Sequence, residues 1–348
     1  MRDKGEMVLS NPRLVVPFVV PLALAGVAFS TASARAETKP PMVETPQEQT
    51  APAEASLTVG ALQIGSVANL EVAGFEIAVA TNSVAYTYQL KNNGAADLTV
   101  AAAITLPELN ASIEGTETWT LAKYDAENFV DLTVTAAGAP VSTKTEMHAN
   151  ALGVDRLAEI KAANLPLIPF GPDSVKALAA LSPEAAARLA ALGIISPRDP
   201  TQPKAPLTAD WSLDVVRSWN QVLPAGKTTP IVVKFVPVAA HYHLTKADAD
   251  DLNDVKDELC LKPPVLTTLQ ARMKGNGAWN VTDIALADDA PARWIESPPA
   301  TISVQKPKPD AIVTFCGIDE KSAGKPTVVG TAPDSNEGIR VVIFEPAK

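Results

Sequence analysis

His148, His241 and His243 are the only histidines in the 348 residues. His241 and His243 stand two apart, a spacing that puts both rings on one side of an extended strand, as metal ligands require. A zinc site at that pair needs a carboxylate or His148 brought in by the fold, whereas a solvated or locally bonded pair needs nothing further. The three are weak metal candidates, and the sequence calls for no cofactor. The acidic run KADADDLNDVKDEL, residues 246–259, suggests calcium. An EF-hand register started at Asp248 fails, because Leu252 takes the fifth position, Asn253 stands where glycine is needed and Leu259 where the bidentate glutamate belongs. A solvated face accounts for these acids. No G-x-S-x-G, H-E-x-x-H or S-x-x-K set is present, and there is no phosphate-binding glycine loop. Carboxylate pairs abound in a chain with 39 acids, and only geometry singles out a catalytic one. The balance is against an enzyme.

The first 36 residues read as a secretory signal. Arg2, Lys4 and Arg13 give a basic start, Leu14 to Phe29 is apolar but broken by Pro17 and Pro21, and Ala34-Arg35-Ala36 fits cleavage after Ala36. No later apolar run is long enough to span a bilayer, so a mature chain without a membrane span, periplasmic or secreted, is expected. Removing this segment, which carries a net charge of +2, takes the formal charge from −10 to −12. Such a balance disfavours nucleic acid, whose phosphates are held by clustered Lys and Arg. In an oxidising compartment Cys260 and Cys316, the only cysteines, are expected to form a disulfide. Neither belongs to a C-x-x-C motif of redox or metal type.

The elements that position these residues follow from periodicity. Residues 37–56, rich in Pro and Glu, lack apolar side chains to offset ordering and read as a disordered linker. Strands are predicted at Leu57–Ile64 and Leu70–Val79. Residues 83–109 predict a β-hairpin: Val84, Tyr86, Tyr88 and Leu90 alternate with polar or small residues, Asn92-Asn93-Gly94 turns the chain, and Leu98-Thr99-Val100 returns it. A second hairpin spans Phe129 to Thr145 around Ala136–Gly138. The stretch from Glu114 to Tyr124 has no regular pattern. From about Ala149 the period becomes helical, through Leu152, Leu157 and Ile160, then a helix capped at Asp173 or Ser174, then one opened by Ser182-Pro183-Glu184 and closed by Gly193. Beyond the Pro-rich link at 197–206, strands resume at Trp211–Val222 and Ile231–Val236. An acidic helix is predicted over Lys246–Leu259, with extended segments at Leu266–Met273, Val281–Leu286, Thr301–Val304, Ile312–Phe315 and Ile339–Phe344. Trp211 and Trp219 read as core, whereas Trp279, after Lys274-Gly275-Asn276-Gly277, and Trp294 are candidates for an exposed ligand surface.

The expected fold is mainly β, one or more antiparallel β-sandwich units with a small α-helical insertion. Its divisions are an N-terminal β unit at 57–147, the insertion at 148–200, and a C-terminal β unit at 201–348 that holds the acidic helix and the cysteines. In order and spacing, Gly60-Ala61-Leu62, Val84 to Asn92 with Leu106-Pro107-Glu108, Gly153-Val154-Asp155, Leu165-Pro166-Leu167, Trp211 with Trp219, Leu223-Pro224-Ala225-Gly226, Val236-Pro237, Cys260 and Phe315-Cys316-Gly317 resemble the domain of unknown function 4424 family of bacterial exported proteins. Leu106 and Leu223 depart from the phenylalanine expected before proline, and Leu259 from the tyrosine expected before the first cysteine, with the apolar character kept. The resemblance implies an exported, disulfide-bonded, mostly β protein and carries no reaction with it. The function expected is a non-enzymatic envelope module that binds a protein or a glycan. The alternative is a hydrolase of an envelope substrate, using His148, His241 and His243 or an acid pair.

Overall fold

The computed structural model describes residues 57–65, 67–111, 118–196, 205–287, 298–317, 319–320, 327–331 and 339–347. The expected signal with cleavage after Ala36, the expected linker at 37–56 and Trp294 lie outside them. The strands before the helical segment are β1 (Gln63–Ile64), β2 (Leu70–Ala80), β3 (Ser83–Asn92), β4 (Leu98–Thr105), β5 (Thr118–Thr120), β6 (Thr133–Ala136), β7 (Ala139–Pro140), β8 (Lys144–Ala151) and β9 (Val154–Asp155). Helices α1 (Leu157–Ala162), α2 (Pro172–Ala179) and α3 (Pro183–Ala191) follow. Then come β10 (Ser212–Leu223), β11 (Thr228–Phe235), β12 (Ala239–Leu244), α4 (Pro263–Lys274), β13 (Ala278–Leu286), β14 (Thr301–Gln305), β15 (Ile312–Cys316), β16 (Asp319–Glu320), β17 (Thr327–Thr331) and β18 (Ile339–Ala347).

These strands make three sheets, mainly antiparallel, as the alternation predicts. A first sheet runs β1-β4-β10-β8-β9, a long sheet β16-β17-β14-β2-β3-β11-β6-β7, and a C-terminal sheet β15-β18-β13-β12-β5. The pair β14 and β2 is parallel. One face of the long sheet carries Phe75, Ile77, Tyr86, Tyr88, Ile231, Val233, Ile302 and Val304, all buried, in a cluster shared with buried residues of both other sheets. Tyr86 and Tyr88, two apart on β3, tie these layers together. The Tyr88 hydroxyl accepts from the backbone N–H of Leu62, beside β1, at 3.1 Å. That of Tyr86 accepts from Ala287, just beyond β13, at 3.0 Å. The C-terminal sheet is covered on its second face too, where Val281, Val342 and Phe344 pack with Leu252, Leu269 and Met273. No helix among the described residues is long and apolar enough to cross a membrane.

Several elements differ from expectation, each for a local reason. β3 and β4 do not form a hairpin. Both edges of β3 are taken, by β2 and β11, so β4 joins β10 in the first sheet. The hairpin is instead β2–β3, closed through Thr81-Asn82. Asn92 is fully buried, and its side chain donates to the carbonyls of Ala96 and Leu223 and accepts from Gly94 N–H, building the crossover between sheets. The first strand shrinks to Gln63–Ile64, and a short strand at Thr118–Thr120 appears where no pattern was evident. Ala137 and Gly138, both at positive φ, turn β6 into β7, but the return is two residues long. Met147, Ala149 and Ala151 then extend β8 past the expected change of period, and Leu152 lies 82% exposed in the β8–β9 turn, outside any helix.

The helical segment is as predicted in kind. Ser182 accepts from Ala185 N–H at the start of α3 and Gly193 closes it at φ 71°. α2 begins two or three residues before its expected caps, with Gly171 as N-cap, and Ser174 is buried within it and donates to Ile168 O. Ile160, Leu178, Leu189 and Trp211 form a separate small core with Ala149 and Ala151 of β8. The acidic helix is not formed. Residues 246–259 contain two 3₁₀ turns, at Lys246–Asp248 and Asp251–Asn253, since closely spaced Asp side chains compete for backbone partners. Asp248 accepts from Thr245 N–H and hydroxyl, closing the first turn. Conversely, Leu266–Met273, expected as extended, lies in α4. Pro263-Pro264 open this helix, Thr267 and Thr268 donate back to the two prolines' carbonyls, and Leu269 and Met273 share its buried face. Strands from 57–147 and from 201–348 lie side by side in the first and long sheets, so the boundaries at 147 and 200 separate no sheets.

Candidate functional site

The outer face of the first sheet is polar and open. Along β10, Leu213, Val215, Trp219 and Leu223 are buried against the long sheet, which sends Asp214, Val216, Ser218, Asn220 and Val222 to the other side. Register then assembles a row across four adjacent strands: Gln63 faces Ala103, Ala103 faces Ser218, and Ser218 faces Lys144. Small side chains fill the middle of the row and long polar ones its ends, and the result is a depression of about 460 Å³ bordered also by Ala101 and Asn220. Its donors and acceptors are two amides, a hydroxyl and an ammonium group.

A charged group lies further along the same face. His148 on β8 faces Asp214 on β10. Its Nδ1 is 2.8 Å from Asp155 Oδ2 and its Nε2 is 3.0 Å from Glu146 Oε1. Those two carboxylates raise the imidazole pKa. Asp155 is held below the usual carboxylate range by His148 and by the N–H groups of Leu157 and Ala149, which both donate to its Oδ1. Burial, and then the charge of Glu108, push the Asp214 carboxyl up, against the Asn150 amide that donates to it at 2.5 Å. A second depression of about 270 Å³, lined in part by Asn110, Asn150, Asp210 and Ser212, ends this face.

His241 and His243 lie on β12 in the C-terminal sheet, so the fold does not join them to His148. His243 Nδ1 is 2.8 Å from Asn280 Oδ1, and His241 Nδ1 is 3.3 Å from the Thr282 hydroxyl. Burial lowers the pKa of His241. Asp248 is held below the usual carboxylate range by the N–H and hydroxyl of Thr245. Among the described residues, no group of three His, Cys, Asp or Glu side chains is placed to hold a metal ion.

Trp279 is not a surface residue. It is 3% exposed, its Nε1 donates to Leu269 O at 3.4 Å, and the Arg272 guanidinium lies 5.1 Å above its ring. The cover is α4, the segment expected as extended. Trp211 and Trp219 are buried as predicted. Cys260 and Cys316 are brought to bonding distance with Cα atoms 5.4 Å apart. Gln63, Lys144, Ser218 and Asn220 carried no motif. The alternation on β10 marks the face of Ser218 and Asn220, but the row depends on pairing four strands that are separate in the chain.

Fold and face define a class: a mainly antiparallel three-sheet protein with a small helical segment and one sheet face left open and polar. The chain belongs to the family of the domain of unknown function DUF4424, whose model matches residues 52–333. No curated protein matches it. Among solved structures it is similar to a Legionella pneumophila protein described as nutrient binding, at 10% identity and TM-score 0.38, covering 82% of this chain and 70% of that one. It is also similar to yeast LTA4 hydrolase, at 9% identity and TM-score 0.28, covering 78% of this chain and 28% of the hydrolase. For an M1 zinc metallopeptidase of Deinococcus radiodurans the figures are 9% and 0.24, over 79% of this chain and 42% of the peptidase. Likeness at this level carries no function across.

Proposed function

We propose that this protein is an exported, non-enzymatic binding module of the cell envelope, and that the open face of its first sheet receives a hydroxyl-rich ligand, an envelope glycan. The observation that carries this reading is the row Gln63, Ala103, Ser218 and Lys144, with its depression of about 460 Å³. Small-molecule sites typically enclose about 300–1,000 Å³. A sugar hydroxyl both donates and accepts. Amide and hydroxyl side chains such as Gln63, Asn220 and Ser218 match it in both senses, and Lys144 adds donors. Ala101 and Ala103 leave room for a ring above the sheet. A polyanion is a poorer fit, since Glu108, Glu146, Asp155 and Asp214 share this face with Lys144. Export rests on residues 1–36 as read from sequence, and the paired cysteines accord with it.

The test is co-sedimentation of the mature chain, residues 37–348, with purified insoluble envelope polysaccharide, alongside Ala103→Trp and Ser218→Trp, which fill the depression. Binding by the native chain, weakened at least about tenfold or 1.4 kcal/mol in both variants, is the expected result. Equal binding by all three sinks this use of the face. If the polysaccharide is ignored while in-cell cross-linking through Asn220→Cys captures one recurrent envelope protein, the ligand is protein and the glycan assignment is wrong.

A further inference from the structure

We propose that His241 and His243 form a separate site for a divalent transition metal ion, with two imidazole ligands from the chain and water completing the coordination. Their spacing on β12 places both side chains on one side of the C-terminal sheet, and each faces a polar residue of β13 in register, Thr282 for His241 and Asn280 for His243. Both contacts are made through Nδ1. A carbonyl oxygen such as Asn280 Oδ1 only accepts, so the proton of a neutral His243 ring sits on Nδ1 and the Nε2 lone pair is presented outward. The Thr282 hydroxyl, which accepts as well as donates, lies against His241 Nδ1, so the Nε2-unprotonated form of that ring also keeps a partner, and no described residue bonds to either Nε2. This is the outer-shell arrangement that orients imidazole for a metal, with the second nitrogen held by an oxygen partner.

Exposure fits an exchangeable ion, since His243 is exposed and His241 half-buried. Imidazole suits zinc, copper and nickel, not magnesium or calcium. With no third His, Cys, Asp or Glu placed to join them among the described residues, the site is open to water, unlike the closed four-ligand sites that hold structural zinc. The inference is independent of the glycan face, which lies on another sheet.

Calorimetric titration of zinc into the chelator-stripped mature chain at neutral pH tests it. One ion per chain is expected, lost in His241→Ala and in His243→Ala, retained in His148→Ala, and bound roughly tenfold more weakly in Asn280→Ala, whose only task here is to orient a ligand. His243→Gln, checked by circular dichroism, separates loss of a ligand from loss of fold. Nitrogen NMR shifts on zinc addition should move at Nε2 of both rings. Absence of zinc binding overturns the proposal, as does binding that survives both alanine variants or disappears with His148.

Discussion

His148 bonds to a carboxylate through each ring nitrogen, an arrangement that suits only the doubly protonated imidazolium. Its folded pKa is therefore raised above the ordinary 6.5, with the bonds to Asp155 and then Glu146 as the main causes. The stability this group contributes is fully present below pH 6.5 and fades as pH rises through the raised value. Asp155 has the opposite sign. Its pKa is depressed, so its contribution is present above the usual 3.8 and is lost as pH falls through its lowered folded value. Urea midpoints of the native chain and His148→Gln, compared between pH 4 and pH 9, should differ most below about pH 6.5 and converge above the raised pKa. A constant difference across that range contradicts the arrangement. Trp279 shows what is illegible at this scale. A glycine-rich turn before a tryptophan suggests exposure, but whether the ring is covered depends on α4 lying across β13.

β3 is the element on which the sheets converge. Alternation identifies Tyr86 and Tyr88 as residues of one face, and the fold gives their hydroxyls two different sheets to hold. Burial pushes the Tyr88 pKa up, so the phenol stays neutral. Tyr88→Phe keeps the ring stacked on Phe75 at 4.6 Å but leaves the Leu62 N–H buried without its acceptor. A loss of about 1–3 kcal/mol in denaturant unfolding is expected, against almost none if water replaces the hydroxyl. On β18, Arg340 makes a bidentate pair with Asp283 of β13, which is 4% exposed and also accepts from Tyr242. The same guanidinium donates to Glu258 O, so it also clasps the segment ending at Cys260. Arg340→Met should cost about 3 kcal/mol, the low end for breaking a buried pair, because Arg340 is itself 37% exposed. Asp283→Asn combined with Arg340→Met should recover part of that loss, and failure to recover it means the charge left at Asp283 was not the cause.

At the scale of the molecule, the cysteines close a long loop, tying the end of the acidic segment to β15 across the outer face of the C-terminal sheet. Their separation of 56 residues corresponds to roughly 4 kcal/mol by chain entropy. Cys260→Ser with Cys316→Ser should lower unfolding stability by about that amount, and thiol titration of unfolded protein produced in an oxidising compartment should find no free thiol. Two free thiols refute the bond. Sequence alone determined the mainly β class, the helical segment with its Ser182 and Gly193 caps, the buried Trp211 and Trp219, and the family. Those features rest on period, cap chemistry and hydrophobicity, which act over a few residues or are written in residue type. Tertiary structure decided which strands pair, and so turned the apparent β3–β4 hairpin into a crossover held by Asn92. It decided that residues 246–259 bend into tight turns while 263–274 form helix α4, since burial of Leu269 and Met273 outweighs the extended preference of Thr267 and Thr268. Above all it decided the polar row of Gln63, Ala103, Ser218 and Lys144, because a cross-strand neighbour is set by register between distant segments and leaves no mark in the order of residues along the chain.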